Sequence, residues 1–504
     1  MSISLKTART LLIQHDLYKE ITHKEHWHYS LPTELATTRF ESISYHSLEV
    51  DKQTLFFVKG LNFKEEYLQK AIMENGLRFY VAETTYDVEA TGLIVKDIKK
   101  AMAILSMAFY DYPQNKLKLI GFTGTKGKTT AAYFAKSILS QATNHRCAML
   151  STMNTTLDGV NYFKSELTTP ESLDLFRMMK EALDNQMTHL VMEVSSQAYK
   201  TQRVYGLLFD VGIFLNISPD HIGPIEHPTF EDYLYCKRQL LRNSKSIILN
   251  RESCHFNIIF EESKTFDAKV YVYGRNPHVT DVYFETSTEN HLNFTVKSGE
   301  FGQLNDLIGN YSLKLAGDFN KDNALSAAIA THLLGADNES IRLGIAKTTV
   351  PGRMEMLMQK NGASIYVDYA HNKTSLESLI EVVRNNHSGK VIVVIGSTGN
   401  KAESRRVDFG QVLSERADIA VLTADDPNCE SPEMIAIEIQ QAMTKEIPTH
   451  IIAERERAIE LALSFTENEH DAVVIAGKGA DLFQIVNNVR EDYAGDFEIA
   501  KRLI

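Results

Sequence analysis

Residues 121–130 read GFTGTKGKTT, between an apolar run, KLKLI, and a helix-like stretch, KTTAAYFAKSILSQ. The small residues Gly124, Thr125 and Gly127, with Lys126 and Thr130 beside them, let backbone N–H groups turn inward around phosphate oxygens. A helix opening at this point adds the positive end of its dipole. Lys128 is placed to reach β- and γ-phosphates, and the Thr129 hydroxyl to sit on Mg²⁺. The loop departs from the usual GxxxxGK[ST] pattern: Phe122 stands at the first glycine position and Gly121 comes one residue early. A phosphate loop indicates a nucleotide and no more. Asn320-Lys321-Asp322-Asn323 does not have the spacing of a guanine-reading NKxD motif, so a GTPase is not indicated.

A second set of reactive types follows in order. Glu193 ends the apolar run HLVME, at the carboxyl end of an expected strand, where open α/β sheets bind ligands. The loop SPDHIGPIEH then supplies Asp220, His221 and His227, and Tyr233 and Lys237 follow at i, i+4 on one helix face. A carboxylate and an imidazole beside a nucleotide suit a second divalent cation. Singly, such a histidine is more often solvated, and such a lysine belongs on the surface. The order after a phosphate loop gives the set its weight.

These groups need a scaffold. Apolar runs at KLKLI, HLVMEVSS, VGIFLNIS and SKSIILN alternate with helical patterns, which predicts a largely parallel sheet. β-rich stretches (KVYVYG, DVYFETS, HLNFTVKS) and a helix at KDNALSAAIATHLLGA close this segment near residue 348. Residues 349–504 alternate strand (ASIYVDYA, KVIVVIGS, IAVLTADD, THIIAE, DAVVIAGKG) and helix as a Rossmann-like, doubly wound domain does, without a GxGxxG. Residues 1–113 mix short strands with helices and stop at Pro113, which the helix AMAILSMAFYDY cannot pass. The first helix is expected to turn Leu5, Leu11, Leu12 and Leu17 to one side. The reading is therefore α/β in three domains: a small mixed α/β domain (1–113), a central ATPase-like parallel sheet (114–348) and a C-terminal doubly wound domain (349–504).

At 504 residues, with 43% hydrophobic and 23% charged residues, the chain is an ordinary globular protein. Its 53 Lys and Arg against 65 Asp and Glu leave a formal net charge of −12, which argues against nucleic-acid coating or anionic-membrane binding. Four scattered cysteines without a CxxC pair read as free thiols, and no run is long and apolar enough for a spanning helix. A cytoplasmic protein without membrane or nucleic-acid partners is expected, as a monomer.

In order, the motifs TGTKGKTT, LTTPES, MEVSSQAYKTQR, NISPDHIGPIEHPTFEDYLYCK, GDFNKDNALSAA, VPGRME, VDYAHN, GSTGNKAESRR, TADDPN and AGKGAD resemble the Mur ligase family, the ATP-dependent amino-acid ligases of peptidoglycan synthesis. They are most similar to its tripeptide synthetases, which join a diamino acid to UDP-N-acetylmuramoyl-L-alanyl-D-glutamate. The resemblance implies that Lys128 and Thr129 hold the ATP phosphates and a first Mg²⁺, and that Glu193 and His221 hold a second. Lys237 then matches the family's carbamylated lysine, a modification that turns a cation repelling Mg²⁺ into a carboxylate. Thr168, Thr169, Ser195 and Arg203 fall where the family contacts the muramoyl dipeptide, with Thr201 in place of a glutamine. Asn320 and Asn323 match adenine-side asparagines, and Arg353 and Asp368 match ATP contacts of the third domain. Arg406 aligns with the arginine that grips the incoming amino acid's carboxylate.

Asp425-Asp426-Pro427-Asn428 stands where members adding meso-diaminopimelate carry Asp-Asn-Pro-Arg, whose arginine pairs with the distal carboxylate. Asn428 removes that partner and Asp426 adds a negative charge, so the resemblance and the charge logic together favour L-lysine. The same reaction with meso-diaminopimelate is an alternative, and so is L-ornithine, one methylene shorter. The family's Gly-Lys-Gly-His-Glu appears as GKGAD, with Gly477 kept and Asp481 one methylene short. The uridine-site Asp-Ser-Arg appears as His46-Ser47-Leu48, with only Ser47 retained. These departures keep open a catalytically weak nucleotide-binding paralogue. The shared ATP core keeps open a folylpolyglutamate synthase-like ligase, which lacks a use for TTPES and DDPN.

Overall fold

The computed structural model describes residues 1–504 apart from Glu25, Leu61, Asn62, His221, Pro224, Ile225, Lys401 and Ala402. Two compact units form. One takes residues 1–285, 295–311 and 321–345, and the other takes 286–294, 312–320 and 346–504.

In the first unit, the strands Ser42–Ser44, Thr54–Phe57, Phe79–Ala82 and Thr91–Val95 are parallel, and Tyr18–His23 and His26–His28 extend the sheet antiparallel. The first helix spans Leu5–Gln14 and buries Leu5, Ala8 and Leu12. Leu17 is also buried but lies beyond the helix, because Asp16 turns left-handed (φ 55°) and reverses the chain. The helix Ile98–Phe109 likewise stops short of Pro113: Asp111 and Tyr112 both take positive φ, and Pro113 opens a short 3₁₀ turn instead. Its buried face shares a core with the helix Ser172–Asp184 of the following segment.

That following segment is built on an eleven-stranded sheet. Lys118–Thr123 is an interior strand of it, parallel to His189–Glu193 on one side and to Phe209–Phe214 on the other. Cys147–Leu150 lies beyond His189–Glu193, so successive crossovers leave Lys118–Thr123 on opposite sides. Such a switch point opens a crevice at the carboxyl ends of the strands. The β-rich stretches Lys269–Gly274, Val282–Thr286 and Asn293–Ser298 continue this same sheet and do not form a separate one.

The second unit carries a six-stranded sheet in the order Glu355–Met358, Ser364–Asp368, Ala472–Ala476, Val391–Ile395, Ile419–Leu422, Thr449–Ile451. All pairs are parallel except the first, an edge hairpin whose half-exposed strand Glu355–Met358 carries no long apolar run. Arg455–Ser464 and Asp496–Leu503 cover one face through Ala458, Ile459, Ala462, Ile499 and Ala500. Lys373–Asn386, Ser404–Arg416 and Pro432–Gln441 form the other helical layer.

Candidate active site

The loop after Lys118–Thr123 is shaped by glycine at two positions. A Cβ on Gly127 (φ 85°) would lie 2.4 Å from the Asn323 Oδ1, and one on Gly124 would press on Leu215. Asn323, matched above to an adenine-side asparagine, thus sits against the phosphate loop. Asn216 braces the loop: its Oδ1 accepts from the Lys126 N–H (2.9 Å), its Nδ2 donates to the Lys126 carbonyl (3.0 Å), and its own carbonyl accepts from the Thr125 N–H (3.1 Å). The Thr125 hydroxyl meets the Ser218 carbonyl and the Tyr233 hydroxyl, each at 3.1 Å. Gly127 at the N-cap of the helix Lys128–Ala142 has no side chain to cap it, and an open helix amino end suits an anion. Thr130 is buried in the first turn of that helix. Lys128 folds back over the loop and donates to the carbonyls of Gly124 (2.8 Å) and Thr125 (3.2 Å).

Glu193 is buried at the end of its strand, held by neutral donors. Its Oε1 accepts from the Thr129 hydroxyl and the Thr152 N–H, both at 2.8 Å, and its Oε2 from the Thr152 hydroxyl at 3.1 Å. Hydroxyl and carboxylate oxygens are the ligands a small divalent cation prefers. Lys237, only 2% exposed, donates to the Gly124 carbonyl (2.7 Å), the same oxygen that Lys128 uses. Burial, and next the nearby Lys128 charge, push its amine well below the usual lysine range. His221 lies outside the described residues. His227 is buried, with Nδ1 2.6 Å from the Asp232 carboxylate and Nε2 2.8 Å from the Ser196 hydroxyl. Cys236 completes a His227–Asp232–Cys236 group whose ligand atoms fall within 4.8 Å, but hydrogen bonds already occupy both ring nitrogens.

Beside Glu193 the expected dipeptide residues form one hydrogen-bonded loop. The Thr169 hydroxyl donates to the Glu193 carbonyl and accepts from the Ser195 N–H, both at 3.0 Å. Ser195 caps the helix Ser196–Lys200 through the Ala198 N–H. Arg203 donates to the Thr169 carbonyl (3.1 Å) and pairs with Glu171 (3.0 Å). Thr168 accepts from the Thr152 hydroxyl at 3.0 Å, so Thr152 joins this loop to Glu193. The Thr201 hydroxyl is turned back onto the Gln197 carbonyl. Lys59, from the N-terminal sheet, approaches Glu171 to 2.7 Å and lies 4.2 Å from the Tyr45 ring centroid. Tyr45 donates to Asp174. Ser47 is half-buried two residues on, and its carbonyl accepts from Asn75 at 3.4 Å. Thr152, Asn216, Lys59 and Glu171 were not singled out from the sequence, although Glu171 stands inside LTTPES and Asn216 opens NISPDHIG.

In the second unit Asp368, Asp425 to Asn428 and Gly477 lie at or just beyond the carboxyl ends of strands. Asp368 accepts from the Met354 N–H (2.9 Å), and burial raises its carboxyl above the usual range while Arg353 opposes the rise. The Arg353 guanidinium lies 5.4 Å from the Tyr369 ring centroid, and Asn320 donates to the Ala316 carbonyl at 2.7 Å. Asp425 and Asp426 are not free charges: the buried Lys478 lies 3.6 Å from one and 2.7 Å from the other. Pro427 is buried, and Asn428 (φ 52°) accepts from the Asn488 N–H at 2.7 Å. Gly477 (φ 108°) is required, since a Cβ would fall 2.8 Å from Asp425. Asp481 accepts from the Tyr369 hydroxyl at 3.3 Å. Arg406 differs most from expectation. Its buried guanidinium already holds Glu438 (2.7 Å) and Glu430 (2.8 Å), so an incoming carboxylate must compete with two of the chain's own.

Residues 122–331 match the Mur ligase middle domain, and residues 352–479 match the Mur ligase, glutamate ligase domain. The chain is 58% identical over 507 residues to the UDP-N-acetylmuramoyl-L-alanyl-D-glutamate–L-lysine ligase of Enterococcus faecalis, covering 100% of this chain and 99% of that one. It is 51% identical to the enzyme of the same name from Streptococcus pneumoniae, covering 100% of both. Among solved structures, UDP-N-acetylmuramoyl-L-alanyl-D-glutamate–2,6-diaminopimelate ligase shares the fold, with a TM-score of 0.69 at 23% identity over 100% of this chain and 99% of that one. Folylpolyglutamate synthase of Mycobacterium tuberculosis, solved with ADP and AMPPCP, has a TM-score of 0.57 at 16% identity and covers 75% of this chain and 92% of its own. With both domain models matched in order and relatives this similar along the whole length, the chain belongs to the Mur ligase family.

Proposed function

We propose that this chain joins L-lysine to the D-glutamate end of UDP-N-acetylmuramoyl-L-alanyl-D-glutamate, with ATP, giving the UDP-linked tripeptide of peptidoglycan synthesis. One observation carries the reading. The phosphate loop, the buried Glu193 and Lys237 converge on Gly124 and Thr129, and Thr152 ties the same Glu193 to Thr168 of the dipeptide loop. ATP phosphates and the acceptor carboxylate would then meet at one point. The full-length relatives at 51% and 58% identity bear the name of this reaction. A folylpolyglutamate synthase-like activity and a binding-only paralogue have no comparable support.

Three domains divide the substrates in this reading: residues 1–113 take the uridine end, 114–348 take ATP and the dipeptide, and 349–504 take the amino acid. Lys128 would leave the Gly124 and Thr125 carbonyls for the phosphates, and the uncapped helix end would face them. The acceptor carboxylate attacks the γ-phosphorus, ADP departs, and an acyl phosphate results. The α-amine of lysine attacks its carbonyl carbon, and phosphate leaves. Arg203 and the Thr168–Thr169 loop hold the acceptor in line. Thr129 and Glu193, with His221, would hold Mg²⁺, which when bound offsets negative charge at the transferring phosphoryl group. Burial favours the neutral amine of Lys237, the form that adds CO₂, and a carbamate there would give this set another carboxylate.

For the amino acid, Asp425, Asp426 and Asp496 face the cations Lys478 and Arg455, a surplus of one carboxyl group, with burial raising the Asp425 carboxyl above the usual range. That surplus, with Asp481 nearby in sequence, favours a side-chain ammonium. A distal carboxylate, as in meso-diaminopimelate, would find Lys478 already paired. The reading also carries a cytoplasmic, monomeric enzyme. Its four cysteines are free thiols, and no helix among the described residues is long and apolar enough to cross a membrane. The test is phosphate release with UDP-N-acetylmuramoyl-L-alanyl-D-glutamate, comparing L-lysine, L-ornithine and meso-diaminopimelate. Release that requires both ATP and lysine is expected. Release with meso-diaminopimelate alone would reject the lysine assignment, and no release with any of the three would reject the ligase reading.

A further inference from the structure

The second unit buries a full ion pair at the base of the loops assigned to the amino acid. Arg455 opens the helix Arg455–Ser464, and its side chain is 1% exposed. Its partner Asp496 is 0% exposed. The contact is bidentate: Nε to Oδ1 at 2.7 Å and Nη2 to Oδ2 at 2.8 Å. The two remaining bonds go to backbone. Nη1 donates to the Ala424 carbonyl (3.1 Å) and Nη2 to the Ala476 carbonyl (2.8 Å). Ala424 directly precedes Asp425, and Ala476 directly precedes Gly477. One planar guanidinium therefore spans the roots of the loop 425–428 and the loop 477–481. Above it the loops touch again, through Lys478 with Asp425 and Asp426 and through the close approach of Gly477 to Asp425.

A pair of this kind is a poor device for stability alone. Removing a guanidinium and a carboxylate from water costs several kcal/mol each, and apolar residues of similar volume often serve as well. What apolar residues cannot do is fix two carbonyl oxygens at a set separation, whereas the rigid five-donor fork of arginine does so directly. From this geometry we propose that Arg455, oriented by Asp496, is a positioning residue for the amino-acid site. It sets the spacing between the 425–428 and 477–481 loops and, through that spacing, the affinity for the incoming diamino acid. The inference rests on the function proposed above and adds to it two residues that no sequence motif indicated. Tyr493, whose hydroxyl donates to the Asp496 Oδ1 at 2.7 Å, steadies the carboxylate from the other side.

The decisive variant replaces the pair as a pair, Arg455→Met with Asp496→Leu. It removes the carbonyl donors without leaving an unpaired buried charge. The readout is the KM for L-lysine set against those for ATP and the UDP-linked dipeptide, with Tm measured alongside. We expect a folded protein whose KM for lysine rises about tenfold while the other two stay within about twofold. A folded variant with lysine KM within about twofold of wild type overturns the proposal, and so does a parallel rise of all three constants. Arg455→Lys, which keeps the charge but loses the fork, is the second variant and carries the decision if the double variant does not fold. It should show the same split in smaller degree, and an unmoved lysine KM there overturns the proposal equally. If wild-type protein fails to use lysine but uses another diamino acid, the lysine assignment falls while the same split, measured with that amino acid, still decides the role of Arg455.

Discussion

The two strand-end sites of this chain are held together by different forces. At the end of the central sheet, Glu193 receives neutral donors among the described residues, the hydroxyls of Thr129 and Thr152 and one backbone N–H. Its charge stays uncompensated by these bonds and available to a cation. At the end of the C-terminal sheet, opposite charges pair within the chain: Lys478 with Asp425 and Asp426, Arg406 with Glu430 and Glu438, Arg455 with Asp496. The first arrangement keeps a charge reactive while fixing its place. The second uses charge to fix shape and leaves a small net surplus to select a ligand. Hydrogen bonds to a carboxylate are charge-assisted at both sites, but at the second the donors are themselves cations, so it gains rigidity at the expense of free charge.

The contrast can be broken most severely at Lys237. Lys237→Ala is expected to lower kcat by about a thousandfold or more, since it removes a group acting beside the transferring phosphoryl. Short carboxylates added to the assay should restore part of the rate, and unchanged activity in the unrescued variant would reject a role for Lys237 in the reaction. Next in size is Thr152→Val, which keeps the shape but deletes the hydroxyl joining Glu193 to Thr168. The Mg²⁺ concentration for half-maximal rate should rise about tenfold, as outer-shell losses at metal sites do. A Mg²⁺ dependence identical to wild type would mean that Glu193 needs no such brace. At the second site, Asn428→Arg should lower the kcat/KM ratio of lysine over meso-diaminopimelate by severalfold. It should also cost about 1 kcal/mol of stability, because Asn428 holds a left-handed backbone and accepts from the Asn488 N–H. An unmoved ratio would place discrimination in the Lys478 network instead.

The same difference explains what could be read from sequence. The phosphate loop is ten contiguous residues whose chemistry is mostly backbone, so types and order sufficed to mark it. Tyr233 and Lys237 are one helical turn apart, and the period that joins them is visible directly. Thr152 is another matter. It is one hydroxyl among several in STMNTT, and only the parallel register of Cys147–Leu150 with His189–Glu193, Leu150 beside Met192, brings it to Glu193. Asn216 likewise gains meaning from the loop it braces, ninety positions away. At the second site the types in DDPN and GKGAD were evident, but their mutual neutralisation was not. Asp426 read as a free negative charge, yet Lys478, fifty-two positions on, closes the pair. Arg406 was judged by alignment alone, which does not show that Glu430 and Glu438 reach it first. Helix ends were misplaced where left-handed residues such as Asp16 and Tyr112 reverse the chain without a glycine to announce it.

The smallest expected effect comes from Lys59, where both kinds of force meet. Its ammonium lies between the Tyr45 ring and Glu171, and Glu171 in turn holds Arg203 against the Thr169 carbonyl. Two cations share the Glu171 carboxylate, while Tyr45 itself donates to Asp174. This corner also joins the sheet bearing Ser47 to the dipeptide loop. A half-buried pair of this sort is worth about 1 kcal/mol, which corresponds to roughly fivefold in an equilibrium constant. Lys59→Met should therefore raise KM for the UDP-linked dipeptide by a few fold, leaving KM for lysine and ATP unmoved, while Lys59→Arg preserves most of the affinity. Glu171→Gln alone should cost more, because it strands two cations, and the double variant should cost less than the sum of the singles. Strict additivity would show that Lys59 and Glu171 act separately, and the N-terminal sheet would then contribute to substrate binding only through its own uridine-side residues.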